Sequence, residues 1–371
     1  MTALTNARVT TTTAERDELR ATLRQFLSER SDEQAVRRVI DSGVYDPDVW
    51  AGLSTGLGLV SLALPAAYGG DGYGFIELHA VLEELGRALT PSPFFATVVL
   101  AASALVAAGD ADAMADYLPG IAAGTRTATF AVSEHWGAPK LTGERAAGAW
   151  TVSGEISLVL DGATADLLLV VANTPDGPSL FAVPSDAPGL VRTPLRTLDG
   201  TRPLAAVRCE AAPARLVGPA GGAEPVVARV VDLGTAALAA EQVGGARACL
   251  EASASYARER VQFGRAIGSF QAVKHKCADM FTRVRLADAA ALDAAEAADE
   301  GARLPVAAAT AHLVCSEAYL FAAAENIQVH GGIGFTWEHP AHLYYRRAKA
   351  SQLLFGGPAD YHERLLRAVG V

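Results

Sequence analysis

Cysteine is scarce in this chain. Cys209, Cys249, Cys277 and Cys315 are the only four in 371 residues, and they lie far apart with no C-x-x-C spacing. That pattern supports neither a disulfide framework nor a thiolate zinc site, and it fits free thiols in a reducing cytoplasm. Long apolar runs are missing too. No stretch reaches about 18 residues without a charge or turn signal, so no membrane span is expected. The opening "MTALTNARVTTTTAERDELR" has no apolar core behind its basic residue and does not read as a secretory leader. Positive charge is in deficit, with a net charge of -10, which argues against a nucleic-acid partner held through phosphates.

What is present is a globular composition, 50% hydrophobic and 19% charged, in a chain long enough for two or three units. From Thr11 to about Arg126 the periodicity is helical. Thr caps and early acids precede Leu19, Leu23, Phe26 and Leu27 on one face. Asp46 before Pro47 reads as an N-cap and first helical residue, with the helix continuing through "VWAGLSTGLGLVSLAL". "FIELHAVLEELGRAL" and "FFATVVLAASALVAAG" follow the same pattern.

Near Thr127 the pattern changes. "TATFAVSE", "AWTVSGEISLVLD", "DLLLVVA", "SLFAVPS" and "LVRTPLRTL" are short, rich in Val, Leu and Thr, and divided by turn residues. They predict a small antiparallel barrel or sandwich. From Pro225 long helices return, including one over thirty residues and one that opens at Pro305 and stops at Gly331-Gly332. The expected fold class is α+β in three parts: a helical domain over 1–126, a β-barrel over 127–222 and a helical bundle over 223–371.

Some motifs are weak. "GGDGYG" at 69–74 joins helical segments rather than a strand and a helix, so it is not read as a dinucleotide loop. His339 and His342 have H-x-x-H spacing but with Pro340 between them and no Glu placed as in a zinc helix, so no metal is expected. Two corners are stronger. "RERVQFGRAIGSFQ" interrupts a long helix at Phe263-Gly264, with Arg260 and Gln271 on either side. An Arg fork and a fresh helix start suit an anion there. "QVHGGIGFTWEHP" ends a helix at two glycines, where bare backbone can approach a ring or pyrophosphate. Near the C-terminus, "SQLLFGGPADYHERL" places another glycine turn directly after Phe355.

Nearly the whole chain resembles the acyl-CoA dehydrogenase family, most specifically in "RVQFGRAIGSFQ", "IQVHGGIGFTWEHPAHLYYRRAK" and the closing helix. The resemblance implies an N-terminal helical domain, a middle β-domain and a C-terminal four-helix bundle, assembled as dimers or tetramers with FAD across the interface. It implies that Arg260, Phe263, Gln271, Gln328, Gly331 and Gly332 reach the FAD of a neighbouring subunit. It further implies acyl-CoA as substrate and an electron-transfer flavoprotein as electron acceptor.

The chain departs from the family pattern in the β-domain and at the base. Ser133 and Glu134 stand where a Thr-Glu-Pro-Gly-like flavin loop is usual, but His135-Trp136 replace the proline-glycine turn, and "LVLDG" at 158–162 replaces a Trp-Ile-Thr-Asn strand. Removing the α-proton of an acyl thioester needs a carboxylate within reach. The family's usual position for that Glu falls on Phe355. The minority position falls on Gly234, with Thr235 where a supporting Arg is expected. Glu241, two helical turns and about 10 Å beyond Gly234, is the remaining candidate in an apolar stretch. It reads more readily as a buried, hydrogen-bonded acid. Asp360 and Glu363 read as helix-start charges. Three readings stay open: a base-deficient subunit of a heteromeric enzyme, a self-sufficient enzyme with an unusual base, and a non-redox module on the same scaffold.

Overall fold

The computed structural model describes residues 9–131 and 139–370. Helices come first: α1 (Thr13–Arg30), α2 (Glu33–Ser42), α3 (Pro47–Ala51), α4 (Phe75–Arg87), α5 (Ala102–Ala108) and α6 (Ala111–Ala122). Thr12 caps α1 reciprocally with Glu15, and Leu23 and Leu27 are its buried residues. Asp46 caps α3 with Pro47 in the first turn, as its sequence predicts. The continuous helix expected after it does not form. A π-helical turn at Gly52–Gly56 ends it, and the chain folds back through backbone hydrogen bonds to reach Tyr73. A second π-helical segment, Phe95–Ala101, leads into α5.

Strands occupy Ala128 to Val217: β1 (Ala128–Ala131), β2 (Leu141–Ala146), β3 (Ala149–Leu160), β4 (Leu167–Thr174), β5 (Gly177–Pro184), β6 (Leu190–Leu195) and β7 (Leu204–Val217). The sheet closes on itself because β4 pairs β5 as well as β2, and β5 pairs β7. Most pairs are antiparallel, as expected. The exceptions are β1 and β2, which each run parallel to β4. Strands β2 and β7 have no counterpart in the sequence reading. Both show broken alternation, and β7 carries Pro213 within a strand otherwise readable as loop.

The bundle follows: α7 (Ala223–Glu259), α8 (Gln271–Glu300), α9 (Leu304–His330), α10 (Ala341–Leu353) and α11 (Pro358–Ala368), with a small hairpin β8 (Val261–Gln262) and β9 (Arg265–Ala266) after α7. Helix α4 crosses α7 at backbone contact. A Cβ on Gly86 would overlap the carbonyl of Glu241, and one on Gly244 would overlap that of Glu83. One core therefore runs from Leu23 and Leu82 through Ala237 to Ala308, while a second fills the barrel around Val170, Phe181 and Val207. Among the described residues one stretch, Leu304–Phe335, is long and apolar enough to cross a bilayer by length and composition. It includes α9, whose buried residues pack inside the bundle.

Candidate functional site

The turn after α10 places Phe355 in the left-handed region, at φ 67°. Its ring points inward onto α7. A Cβ built on Gly234 would stand 3.2 Å from Phe355 Cε2 and 2.9 Å from Leu100 Cδ2. Gly234 and Phe355 are thus neighbours in space. Phe355 stacks on Phe95 with centroids 6.1 Å apart, and the Arg202 guanidinium lies 5.1 Å from the Phe95 centroid.

Beyond Phe95 the interior is ionic. Glu241 Oε2 accepts a hydrogen bond from Arg202 and another from Arg347 at 3.3 Å. Arg347 also donates to Thr201 Oγ1 at 2.7 Å and lies 3.6 Å from Asp199, which in turn accepts the backbone and hydroxyl of Thr201. Arg202, Glu241 and Arg347 are almost fully buried. Of the two readings of Glu241, base or buried hydrogen-bonded acid, this geometry agrees with the second. Two guanidinium groups from β7's approach and from α10 occupy its carboxylate, and it is a structural ion pair.

Burial, with Arg347 beside it, lowers Arg202. Arg347, against its own burial, is raised by Glu241 and Asp199. Next to this cluster Tyr45 donates to Asp161. Burial pushes Asp161 up to about 7, although Tyr45, Arg202 and Arg347 pull it down. Burial and Asp161 raise the Tyr45 phenol. The void left among Tyr45, Phe95, Arg202, Glu241 and Arg347 is about 10 Å³, room for roughly one water.

Thr235, the other position tied to the minority base, shares a 2.6 Å hydrogen bond with the Tyr361 hydroxyl. Tyr361 stacks on His312 at 3.7 Å. His312 is fully buried, and burial pulls it down to about 4, so it stays neutral near pH 7. Asp360 caps its own helix through Gly357 N at 2.8 Å, and Glu363 pairs with Arg367 at 2.9 Å.

The outer corners are built differently. Arg260 ends α7 with its N–H on Tyr256 O at 2.8 Å. The hairpin that follows turns at Phe263 and Gly264, both at positive φ, which matches a two-residue turn. Phe263 is 91% exposed and meets Phe270 edge-on at 6.0 Å. Gln271 begins α8. On the adjoining helix Gln328 is exposed in the last turn of α9, and Gly331 follows at φ 64° and ψ -138°, a conformation that suits glycine. No atom lies within 4 Å of a Cβ built on Gly331 or Gly332. Arg260, Phe263, Gln271, Gln328, Gly331 and Gly332 are therefore all at the surface, on corners with open backbone and one free fork. Among the described residues the Arg260 side chain has no hydrogen-bond or ion-pair partner. Such donors suit an anionic, flat group presented from outside.

Other sequence signals resolve into structure. The glycine loop at 69–74 leads into α4, whose first N–H groups are capped by Asp299 of α8 at 2.8 and 3.2 Å, so the anion position there is filled from within. His339 Nδ1 accepts Ala341 N, and His342 contacts the Trp337 carbonyl. The stretch Gly52–Gly56 spells G-x-S-x-G, against the expectation that no such motif is present. Ser54 lies inside a helical turn and donates to Trp50 O at 2.8 Å, so it is no nucleophile elbow. Ser133, Glu134, His135 and Trp136 lie outside the described residues. The contribution of Arg202 and Arg347 to the interior had no local signal, since they stand 39 and 106 residues from Glu241.

Comparison with known proteins agrees with this architecture. Residues 13–125 match the acyl-CoA dehydrogenase N-terminal domain, and residues 224–369 match the C-terminal domain. The chain is 35% identical to acyl-CoA dehydrogenase IpdE2 of Mycobacterium tuberculosis over 95% of its own length and 96% of that protein's. Among solved structures it is similar to the Tcur3481-Tcur3483 steroid ACAD, with TM-score 0.87, 35% identity and coverage of 96% and 98% of the two chains. It is also similar to the ChsE4-ChsE5 complex of Mycobacterium tuberculosis, with TM-score 0.89, 30% identity and coverage of 97% and 98%. By these matches and by its helix, barrel and bundle order, the chain belongs to the acyl-CoA dehydrogenase family of flavoprotein oxidoreductases.

Proposed function

We propose that this chain is the base-lacking subunit of a heteromeric, FAD-dependent acyl-CoA dehydrogenase, lending cofactor-binding edges to a sister chain that carries the catalytic carboxylate. One observation supports this reading: Gly234 and Phe355, at which the family resemblance puts the acid, lie against each other with no carboxylate between them, while Glu241 is paired with Arg202 and Arg347. The relatives that are named as two-chain assemblies, Tcur3481-Tcur3483 and ChsE4-ChsE5, support it.

The residues present fit the cofactor by halves. Arg260 offers a planar fork to pyrophosphate oxygens, Gln271 and Gln328 add amide donors, and Gly331 and Gly332 allow backbone to lie against the adenine side. Bound FAD supplies a two-electron acceptor for the substrate's β-hydride. Beside Phe95 and the Arg202–Glu241–Arg347 cluster only about 10 Å³ remains, too little for an acyl thioester. In this reading the α-proton is taken in the sister chain's site, and this chain's task is to orient the flavin from across the interface. Exposed Phe263, Phe335 and Trp337 form the apolar rim that such a partner would cover. An electron-transfer flavoprotein is the proposed acceptor downstream, and a cytoplasmic location is proposed from the free thiols.

Purifying the chain alone and together with a candidate sister chain, then recording flavin absorbance and acyl-CoA turnover, tests the reading. The expected result is colourless protein alone, and flavin with turnover in the complex. Stoichiometric flavin and turnover from the single chain would overturn it, and protein that takes no flavin in any combination would point to a non-redox scaffold.

A further inference from the structure

We propose that the mutually tilted, contacting rings of Tyr256, His330 and His339 form a spine that fixes the Arg260 corner relative to the Gly331–Gly332 corner, making His330 a positioning residue for the cofactor edge. The inference rests on the reading that both corners grip one flavin.

Each ring belongs to a different part of the bundle. Tyr256 sits in the last turn of α7, and its carbonyl accepts the N–H of Arg260 at 2.8 Å. Arg260 O in turn accepts Ile267 N at 2.8 Å, so a shift at Tyr256 is passed to the whole hairpin corner. His330 is the final residue of α9, immediately before Gly331. Its ring lies 4.4 Å from Tyr256 at 32° and 4.4 Å from His339 at 45°. His339 is tied to the start of α10 through Ala341 N.

Orientation of the middle ring is fixed on a second side. His330 Nδ1 donates to Asn326 O at 2.8 Å, and Asn326 Oδ1 accepts from Ser253 of α7 at 2.9 Å. Ser253, Asn326 and His330 are all buried. The arrangement matters because Gly331 and Gly332 have no side chains to anchor them and open space where a Cβ would stand. Their placement depends on the residue just before them. Two bare-backbone and guanidinium edges that must meet one rigid ligand need a fixed separation, since a misplaced donor loses its hydrogen bond. A flat ring clamped between two others has few rotamers and supplies that rigidity.

Hydrogen exchange on the purified chain reads the coupling directly. Tyr256→Leu and His330→Leu should each speed exchange by about 2- to 10-fold in both segments 260–268 and 328–336, while peptides from α8 and the barrel stay unchanged. His330→Phe, which keeps a flat ring, should restore protection in both. Acceleration confined to the mutated corner, or no difference between the Leu and Phe variants, would overturn the spine. In the flavin-loaded complex the same variants should release FAD in the same order, Leu fastest and Phe near the parent protein. A complex that takes up flavin but loses it no faster in either Leu variant would overturn the positioning role and leave the cofactor reading standing. A complex that never takes up flavin would remove both.

Discussion

Phe355 and Gly234 touch across the bundle, 121 residues apart in sequence, with the aromatic ring seated where a side chain on Gly234 would project. The ring also stacks on Phe95, which makes the contact an apolar packing element.

Phe355→Ala should therefore act on stability. Removing a half-buried ring from its contacts with Phe95 and Gly234 is expected to cost about 1–2 kcal/mol, read as a shift in the urea unfolding midpoint. Turnover of the assembled complex should stay at the parent level if, as proposed, the base lies in the sister chain. Lost turnover at full flavin content would mean that this turn takes part in the chemistry.

Glu241→Ala separates a structural acid from a catalytic one. Two buried guanidinium groups lose their shared acceptor, so destabilisation of about 3–5 kcal/mol is expected. A variant with parent-like stability and abolished turnover would reinstate Glu241 as the base.

Why these roles were only partly legible follows from where each partner lies. The Asp46 cap, the long bundle helices and the Arg260 and Gly331 corners are written in contiguous residues, and the structure forms them as read, whereas the helix expected beyond Ala51 breaks at a π-helical turn. Glu241 shows only its local neighbours, "AALAAEQVGG", which are apolar; its counter-ions arrive from Arg202 in the barrel and Arg347 in α10. Burial was readable and pairing was not, because a charge partner from another element leaves no trace in local periodicity. Strand β7 was missed for a similar reason, since its partners β3, β5 and β6 rather than its own alternation define it.

Thiol reactivity should be selective. Cys277 is partly exposed, whereas Cys209, Cys249 and Cys315 are buried, and burial pushes the Cys209 thiol up to about 11 and the other two higher still. A thiol-titrating disulfide reagent should modify one cysteine quickly in the native chain and all four only after unfolding. Mass spectrometry that finds a rapidly labelled residue other than Cys277 would contradict the packing of β7, α7 or α9.

The Asp161 carboxyl gives a pH dependence with a defined sign. Burial raises it from 3.8 to about 7 in the folded chain. Between those values the folded state holds a proton that the unfolded state has released, so Asp161 lowers stability progressively as pH rises from about 4 to about 7, and its effect is level above that. Asp161→Asn keeps an acceptor for Tyr45 and cannot ionise. Its stability relative to the parent should therefore grow across that window. Parallel pH profiles for the two proteins in urea unfolding would show that Asp161 is ionised in the fold at all these pH values.

Arg260 carries the cofactor assignment. Its fork has no partner among the described residues and projects from a corner otherwise made of exposed side chains and backbone. Arg260→Ala should leave the unfolding midpoint unchanged, since nothing in the fold leans on the side chain. In the flavin-loaded complex it should weaken FAD about 10- to 100-fold, the equivalent of ~1.5–3 kcal/mol for charged hydrogen bonds. Arg260→Lys should fall between the two, keeping charge but losing the planar pair of donors. The 450 nm absorbance per complex after dialysis reports the order directly. Full flavin retention in the Ala variant would place the anionic edge of the cofactor elsewhere and detach this corner from the proposed interface.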